Sequence, residues 1–220
     1  MTAVASISLI SLNVALPSYL TELHGEMIES GIRKRPVPTE TVTVSTTNIE
    51  GDRQADLRVH GGPEKAVYAY PSEHWDPWTE ELKPDQPYGS GSFGENLSLA
   101  GILEDVACIG DIWRWGNVRL QICQPRYPCF KLAAVLQRPR VVRAMVQNGR
   151  TGWYFRVLTP GAAPTSGPIE LESRDPAAVT VSMAHAARLP NAPLTLVERV
   201  ASIDALASSL KQALLEELTG

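Results

Sequence analysis

Glycine and proline punctuate the first three quarters of this chain so closely that a long helix has no room there, and short strands are what remain. The 220 residues include 16 Gly and 17 Pro. Proline removes a backbone donor and fixes φ, while glycine takes up the turn geometries that join strands. Between the breaks, apolar residues recur with a period of two. Val118, Leu120 and Ile122 fall on one face of Asn117–Cys123, with Arg119 and Gln121 on the other, the pattern of a half-buried strand. Ile7, Leu9, Leu12, Val14 and Leu16 alternate in the same way, with a slip at Leu9–Ile10 that predicts a strand carrying a bulge. Thr41–Thr47, Lys65–Tyr70 and Trp153–Leu158 also read as strands. Many short strands with few helices predict a closed or partly closed barrel.

Two helices are expected among the strands. Ser72 is placed to cap a short helix carrying His74, Trp75 and Trp78, which Pro77 should interrupt or bend. Val141, Val142, Met145 and Val146 have helical spacing, and Asn148-Gly149 is a suitable stop. Pro160–Pro168 reads as a Pro/Gly/Ala/Ser linker, and after Asp175 the chain becomes rich in Ala and Leu. Ala177–Leu189, Leu194–Val200 and Ser202–Leu218 read as three short helices whose apolar stripe is core rather than a partner groove. The expected fold class is α+β and strand-rich: a β-barrel with peripheral helices over residues 1–165, then a small C-terminal three-helix appendage over 170–220.

Charge and cysteine content exclude several classes. A net charge of −4 and a pI of about 5.6 give no general basic field, so neither nucleic acid nor a membrane is expected as a partner. Three cysteines argue against a disulfide scaffold, and no CxxC or HxxxH pairing offers a structural zinc site. Met1–Leu16 lacks a basic leading segment and is interrupted by Ser6, Ser8, Ser11 and Asn13, so it reads as strand rather than signal peptide. No run reaches the ~20 apolar residues of a membrane span. A cytoplasmic location is expected.

Chemistry concentrates in Gln124-Pro125-Arg126-Tyr127-Pro128-Cys129-Phe130-Lys131-Leu132. Each proline pushes the residue before it towards extended geometry, which places Cys129 on a stiffened loop with Arg126 and Lys131 close in sequence. Nearby cations favour thiolate, the form that attacks electrophiles or binds soft metals. Cys108, in the apolar run Val106–Ile109, and Cys123, within a strand, read as structural. Arg58–Lys65 sets His60 and Lys65 around Gly61-Gly62, where backbone can approach a ligand and amides can face an anion; a hairpin corner with solvated charges is the competing reading. Gly89–Leu97 lacks the Lys-Ser/Thr of a nucleotide loop. Its Glu95 and Asn96 offer an acceptor and an amide that could meet a heterocycle edge, although surface polarity explains them equally.

Taken together, Gly51–Trp75, Gly91–Glu104, Ile109–Gly116, Leu120–Leu132 and Gly152–Gly161 resemble the MOSC family, named for the C-terminal part of molybdenum cofactor sulfurase, and within it the YiiM branch. The resemblance covers nearly the whole chain and extends to the C-terminal helices. It implies a MOSC barrel that holds molybdenum on molybdopterin, with the catalytic Cys129 as protein ligand to the metal. It also implies cofactor contacts from His60, Lys65, Phe93, Glu95, Asn96 and Arg126. A soft thiolate suits a metal already held by dithiolene sulfurs, and arginine can grip a phosphate bidentately. The associated activity is reduction of N-hydroxylated compounds such as N-hydroxylaminopurines, a detoxification that needs no pyridoxal phosphate. Electrons would come from an external flavoprotein reductase, because the chain carries no flavin, haem or iron–sulfur motif. Two other readings stand beside this one: a carrier of molybdenum cofactor or persulfide sulfur that uses Cys129, and a thiol enzyme without metal.

Overall fold

The computed structural model of the chain describes residues 7–57 and 61–219. Its centre is a ring of seven strands. Strand β1 (Ile7–Val14) pairs with β7 (Leu97–Ala100), and the ring continues through β6 (Val67–Pro71), β10 (Trp153–Thr159), β9 (Val118–Pro125) and β8 (Ile112–Trp115). It then passes to β12 (Gly167–Ser173), which pairs back onto β1 with Ile7 opposite Ile169 and so closes the barrel. Neighbours are antiparallel except β6 and β7, which run parallel with Ala69 opposite Leu97. A tight turn cannot join parallel neighbours. Residues 72–96 therefore form a long crossover, and it contributes directly to the site.

The alternating residues behave as their spacing dictates. Val118, Leu120 and Ile122 are buried in the barrel while Arg119 and Gln121 are half-exposed. In β1 the pairing with β7 slips between Leu9 and Ser11, which leaves Ile10 as the extra residue, 48% exposed. The bulge lets Leu9 and Leu12 both face the core. The expected helix around Met145 is Val141–Asn148, ended by Gly149 in the left-handed conformation at φ 73°.

Several expectations need correction. Ser72 caps nothing: Ser72–His74 is a 3-10 turn, and the helix α1 (Trp75–Leu82) follows it without a side-chain cap. Pro77 lies in the first turn of α1, where amides have no partner within the helix, so it neither interrupts nor bends it. The strand read from Lys65 begins at Val67, after a 3-10 turn at Pro63–Lys65. The sequence reading passed over the hairpin of β2 (Ser18–Leu23) and β3 (Glu26–Ser30), the short β4 (Arg35–Pro36) beside β1, the barrel strands β7 and β8, and the helix α2 (Phe130–Leu136). The helix of Val141–Asn148 is α3.

The supposed linker is part of the sheets. Gly161–Pro164 forms β11, paired with β5 (Thr41–Val44), and β12 is the strand that closes the barrel, so the barrel extends past residue 165 to Ser173. The tail helices are shorter than read: α4 (Val181–Ala186), α5 (Leu194–Ala201) and α6 (Ser208–Thr219). Pro176–Ala177 form a turn and Ala178 is left-handed at φ 47°; Thr180 then bridges Cys108, and its side chain accepts the Met183 amide to start α4. The last helix begins at Ser208 because the Glu64 carboxylate accepts its backbone N–H at 3.0 Å and its hydroxyl at 3.1 Å. Val181, Val200, Leu210 and Leu214 join the same core as the barrel strands. Burying each such side chain contributes roughly 1.5–3 kcal/mol, so the tail is an outer layer of the barrel rather than a separate core.

Candidate functional site

A half-open cleft lies between the end of β3, the loop after β5, the start of β6, the glycine loop of the crossover and the segment after β9. Its wall combines buried charge with aromatic rings. Arg126 leaves β9 just after Pro125, and its backbone N–H donates to Gly152 O at 3.2 Å. The side chain is only 5% exposed, its guanidinium carbon lies 5.4 Å from the Tyr68 ring centre, and Nη1 reaches Met145 Sδ at 3.2 Å. Tyr154 is hydrogen-bonded to Arg126 and lies 5.2 Å from Tyr68, centre to centre. Burial raises both phenols despite the opposing charge of Arg126, so they are neutral hydroxyls at physiological pH. Among the described residues no carboxylate pairs with Arg126. A buried cation without a counter-ion is costly, and here the open space in front of it is the cleft.

Cys129 reaches the same cleft from the N-cap position of α2, with φ −126° and ψ 174°. The residue is extended and partly exposed, on a loop whose Pro128 restricts Tyr127 before it. The other two thiols sit elsewhere and are buried. Cys123 donates to Glu64 O at 3.2 Å, and burial pushes it up to about 12. Burial also raises Cys108, which donates to Val106 O at 3.5 Å. Cys123 lies on the outward parity of β9, yet it is covered because the tail packs there, with Ala207 N–H donating to Cys123 O at 2.9 Å.

The glycine loop shapes the opposite wall. Gly91 and Gly94 both have φ of 79°, and a Cβ on either would meet Lys34 O at 2.8 Å or Ile32 Cγ1 at 2.6 Å. Glycine at these two positions lets the loop press against Ile32–Lys34, and that contact holds Lys34 at the cleft. Lys34 is 9% exposed and pairs with Asp52, whose Oδ1 also accepts the Ala15 amide at 2.9 Å. Burial lowers the Lys34 ammonium below its ordinary range, while Asp52 and, more weakly, Glu95 oppose the shift.

The cofactor-binding residues named from sequence divide in this geometry. Lys65, Phe93, Asn96, Arg126 and Cys129 converge on the cleft. Phe93 is fully buried and stacks on Tyr70 at 4.7 Å. Asn96 uses its Nδ2 hydrogens on Asn13 O (3.2 Å) and Asp52 Oδ2 (3.0 Å), and its Oδ1 accepts the Tyr68 amide at 3.1 Å. Its amide hydrogens are thus committed within the protein. Glu95 is absent from the cleft wall: it is fully buried behind the loop and accepts Gly91 N–H at 2.7 Å, Phe93 N–H at 3.0 Å and Ser98 Oγ–H at 2.8 Å. Burial raises it to about 7 against these hydrogen bonds. Its geometry is that of a clamp on the loop. His60 lies outside the described residues. Sequence reasoning missed Lys34, Asp52, Tyr68 and Tyr154. Lys34 sits in the basic triplet Arg33–Arg35, which ordinarily marks solvent, and Asp52 follows Gly51 in a sequence typical of a surface turn.

The fold is thus a closed seven-stranded barrel whose cleft brings together one partly exposed thiol and a buried guanidinium with no carboxylate partner among the described residues. The MOSC domain profile matches residues 56–171. The uncharacterized protein YflK of Bacillus subtilis is 41% identical over 211 residues, covering 96% of this chain and 94% of YflK. The chain belongs to the MOSC family. The crystal structure of YiiM from Geobacillus stearothermophilus matches with a TM-score of 0.81 and 32% identity, over 96% of this chain and 99% of that one. A protein of Gibberella moniliformis named "Reductase" is 39% identical over 122 residues, which span 54% of this chain and 22% of that protein. Among the described residues no helix is long and apolar enough to cross a membrane.

Proposed function

We propose that the cleft holds molybdenum cofactor in its molybdopterin form, with Cys129 as protein ligand to the metal. In this reading the chain reduces N-hydroxylated compounds such as N-hydroxylaminopurines, with electrons from a flavoprotein reductase. The observation that carries the proposal is Arg126: a residue only 5% exposed that lines the cleft, with no carboxylate partner among the described residues. A phosphate brought by a ligand supplies the missing charge and accepts the planar fork bidentately. The other groups fit the same ligand. Tyr68 and Tyr154 offer aromatic surface for a heterocycle, Lys65 adds positive charge, and Cys129 is a soft donor in the same cleft. Membership of the MOSC family, which is associated with molybdenum cofactor, and the likeness to a protein named reductase support the assignment.

When bound, the cofactor supplies two-electron exchange. The overall change is R–NHOH + 2e⁻ + 2H⁺ → R–NH₂ + H₂O. The protein's part is to bind the anion at Arg126, hold Cys129 extended at the start of α2 and keep the reacting atoms against a largely buried wall. Asn96 contributes by fixing Asp52 and the start of β6, and Glu95 by holding the loop that carries Phe93. Protein made in a cofactor-competent host should contain molybdenum and pterin, and should reduce an N-hydroxylated purine with a reduced artificial donor. Cofactor content without turnover would instead favour the carrier role. Protein without molybdenum and pterin overturns the proposal.

A further inference from the structure

We infer that Lys34 is the proton donor to the departing hydroxyl oxygen in this reduction, and that Asp52 is the positioning residue that holds its Nζ at the cleft wall. The inference rests on the reductase reading above. When two electrons from the flavoprotein enter, the N–O bond breaks and its electron pair leaves with oxygen. Without a proton that oxygen departs as hydroxide, a poor leaving group beside buried side chains. With a proton it departs as water, and the second proton goes to nitrogen.

The cleft offers few groups able to make that delivery. The Tyr68 hydroxyl donates to Thr151 O at 2.9 Å, and Tyr154 is engaged with Arg126. Arginine does not release a proton. Both Nδ2 hydrogens of Asn96 are used. Asp52 accepts from Ala15, Lys34 and Asn96, the bonding of a carboxylate without a proton to give. Lys131 donates to Glu29 O at 3.2 Å on the exposed side. Lys34 is the buried ammonium in the wall, and Asp52 is its one hydrogen-bond acceptor among the described residues, so further Nζ hydrogens can turn to a ligand. The charges that act on it most are Asp52 and, more weakly, Glu95; Arg53, Asp56, Lys65, Lys131, Arg126, Cys129 and the phenols of Tyr68, Tyr127 and Tyr154 line the same cleft, and of its three lysines Lys34 is the buried one. Burial eases loss of its proton, while the negative charge of Asp52 draws the proton back after each turnover.

The test uses cofactor-loaded enzyme and three variants. Lys34→Arg keeps the charge but cannot release a proton; Lys34→Met removes both; Lys34→Ala leaves room for an added amine. Molybdenum and pterin content in Lys34→Arg should stay within about twofold of wild type, while kcat falls about 10²–10⁴-fold with KM little changed. The alkaline limb of the kcat–pH profile should vanish in this variant, and methylammonium should restore part of the turnover of Lys34→Ala. Wild-type kcat with its alkaline limb intact in Lys34→Arg or Lys34→Met overturns the inference. So does loss of molybdenum and pterin from a folded Lys34→Arg, which would make Lys34 a cofactor ligand. If the wild type carries no cofactor or reduces no N–O bond, the reductase reading falls first and takes this one with it.

Discussion

Replacing Glu95 with glutamine separates the charge of this buried clamp from its hydrogen bonds. In the folded protein Glu95 is fully buried and its carboxyl is raised from an ordinary 4.5 to about 7. Below pH 4.5 it is protonated in both folded and unfolded chains, and its contribution to stability is fully present. Between 4.5 and 7 the unfolded chain releases the proton while the folded one keeps it, so stability is lost as pH rises. Above 7 the loss is complete, at about 3 kcal/mol for a span from 4.5 to about 7. Glutamine cannot titrate, so Glu95→Gln removes this slope. It also places an amide N–H₂ where an oxygen accepts Gly91 and Ser98 or where one accepts Phe93. A buried donor facing a donor costs about 1–3 kcal/mol at every pH. Urea unfolding at pH 4.5 and pH 8 therefore gives a definite pattern. The variant is weaker than wild type at pH 4.5 by that 1–3 kcal/mol, and the deficit shrinks by about 3 kcal/mol, or reverses, at pH 8. Parallel stability profiles for the two proteins with equal m-values would refute the assignment of a raised, buried carboxyl to Glu95.

Arg126→Ala should weaken binding of a pterin phosphate by about tenfold to somewhat over a hundredfold, from the roughly 1.5–3 kcal/mol of a charge-assisted hydrogen bond. Arg126→Lys should recover only part of it because the fork is lost; calorimetric titration decides, and an unchanged dissociation constant removes the anion pocket. Iodoacetamide added to native protein should label Cys129 and spare the buried Cys108 and Cys123 until denaturant is added, as peptide mapping would reveal. Leu214→Ala should cost about 2–5 kcal/mol and keep one unfolding transition, since Leu214 belongs to the barrel's own core. Two separate transitions would mean that the tail folds as an independent unit.

What was legible in the sequence is what local chemistry decides. The alternation of Val118, Leu120 and Ile122, the slip at Ile10 and the stop at Gly149 each follow from a period or a turn residue, and each stands in the structure as read. The loop that carries Cys129 followed from Pro125 and Pro128 in the same way, since residues 126–129 form neither helix nor strand. What could not be read depends on partners far along the chain. Pro160–Pro168 has the composition of a linker, yet Gly161–Pro164 and the start of β12 become strand because β5 and β1 supply their hydrogen bonds. Lys34 and Asp52 are charged residues in solvent-like settings, and only folding buries them together. Glu95 shows the converse: a polar side chain in a glycine loop looks like a ligand donor, and its three hydrogen bonds instead hold the loop to itself.

The parallel contact between β6 and β7 is a matter of parity. Strands that alternate in direction around a closed ring must be even in number, so a ring of seven cannot alternate throughout and has to place at least one pair of neighbours pointing the same way. Such a pair cannot be joined by a hairpin and needs a connection of about a dozen residues or more. The odd strand count therefore obliges this barrel to carry a long excursion, residues 72–96, and that excursion supplies Phe93, Gly94 and Asn96 to the cleft. Shortening it below that length would reopen the ring, whereas lengthening it away from Gly91–Asn96 would leave the ring intact. Variation in what the cleft accepts has a place to accumulate there without disturbing closure.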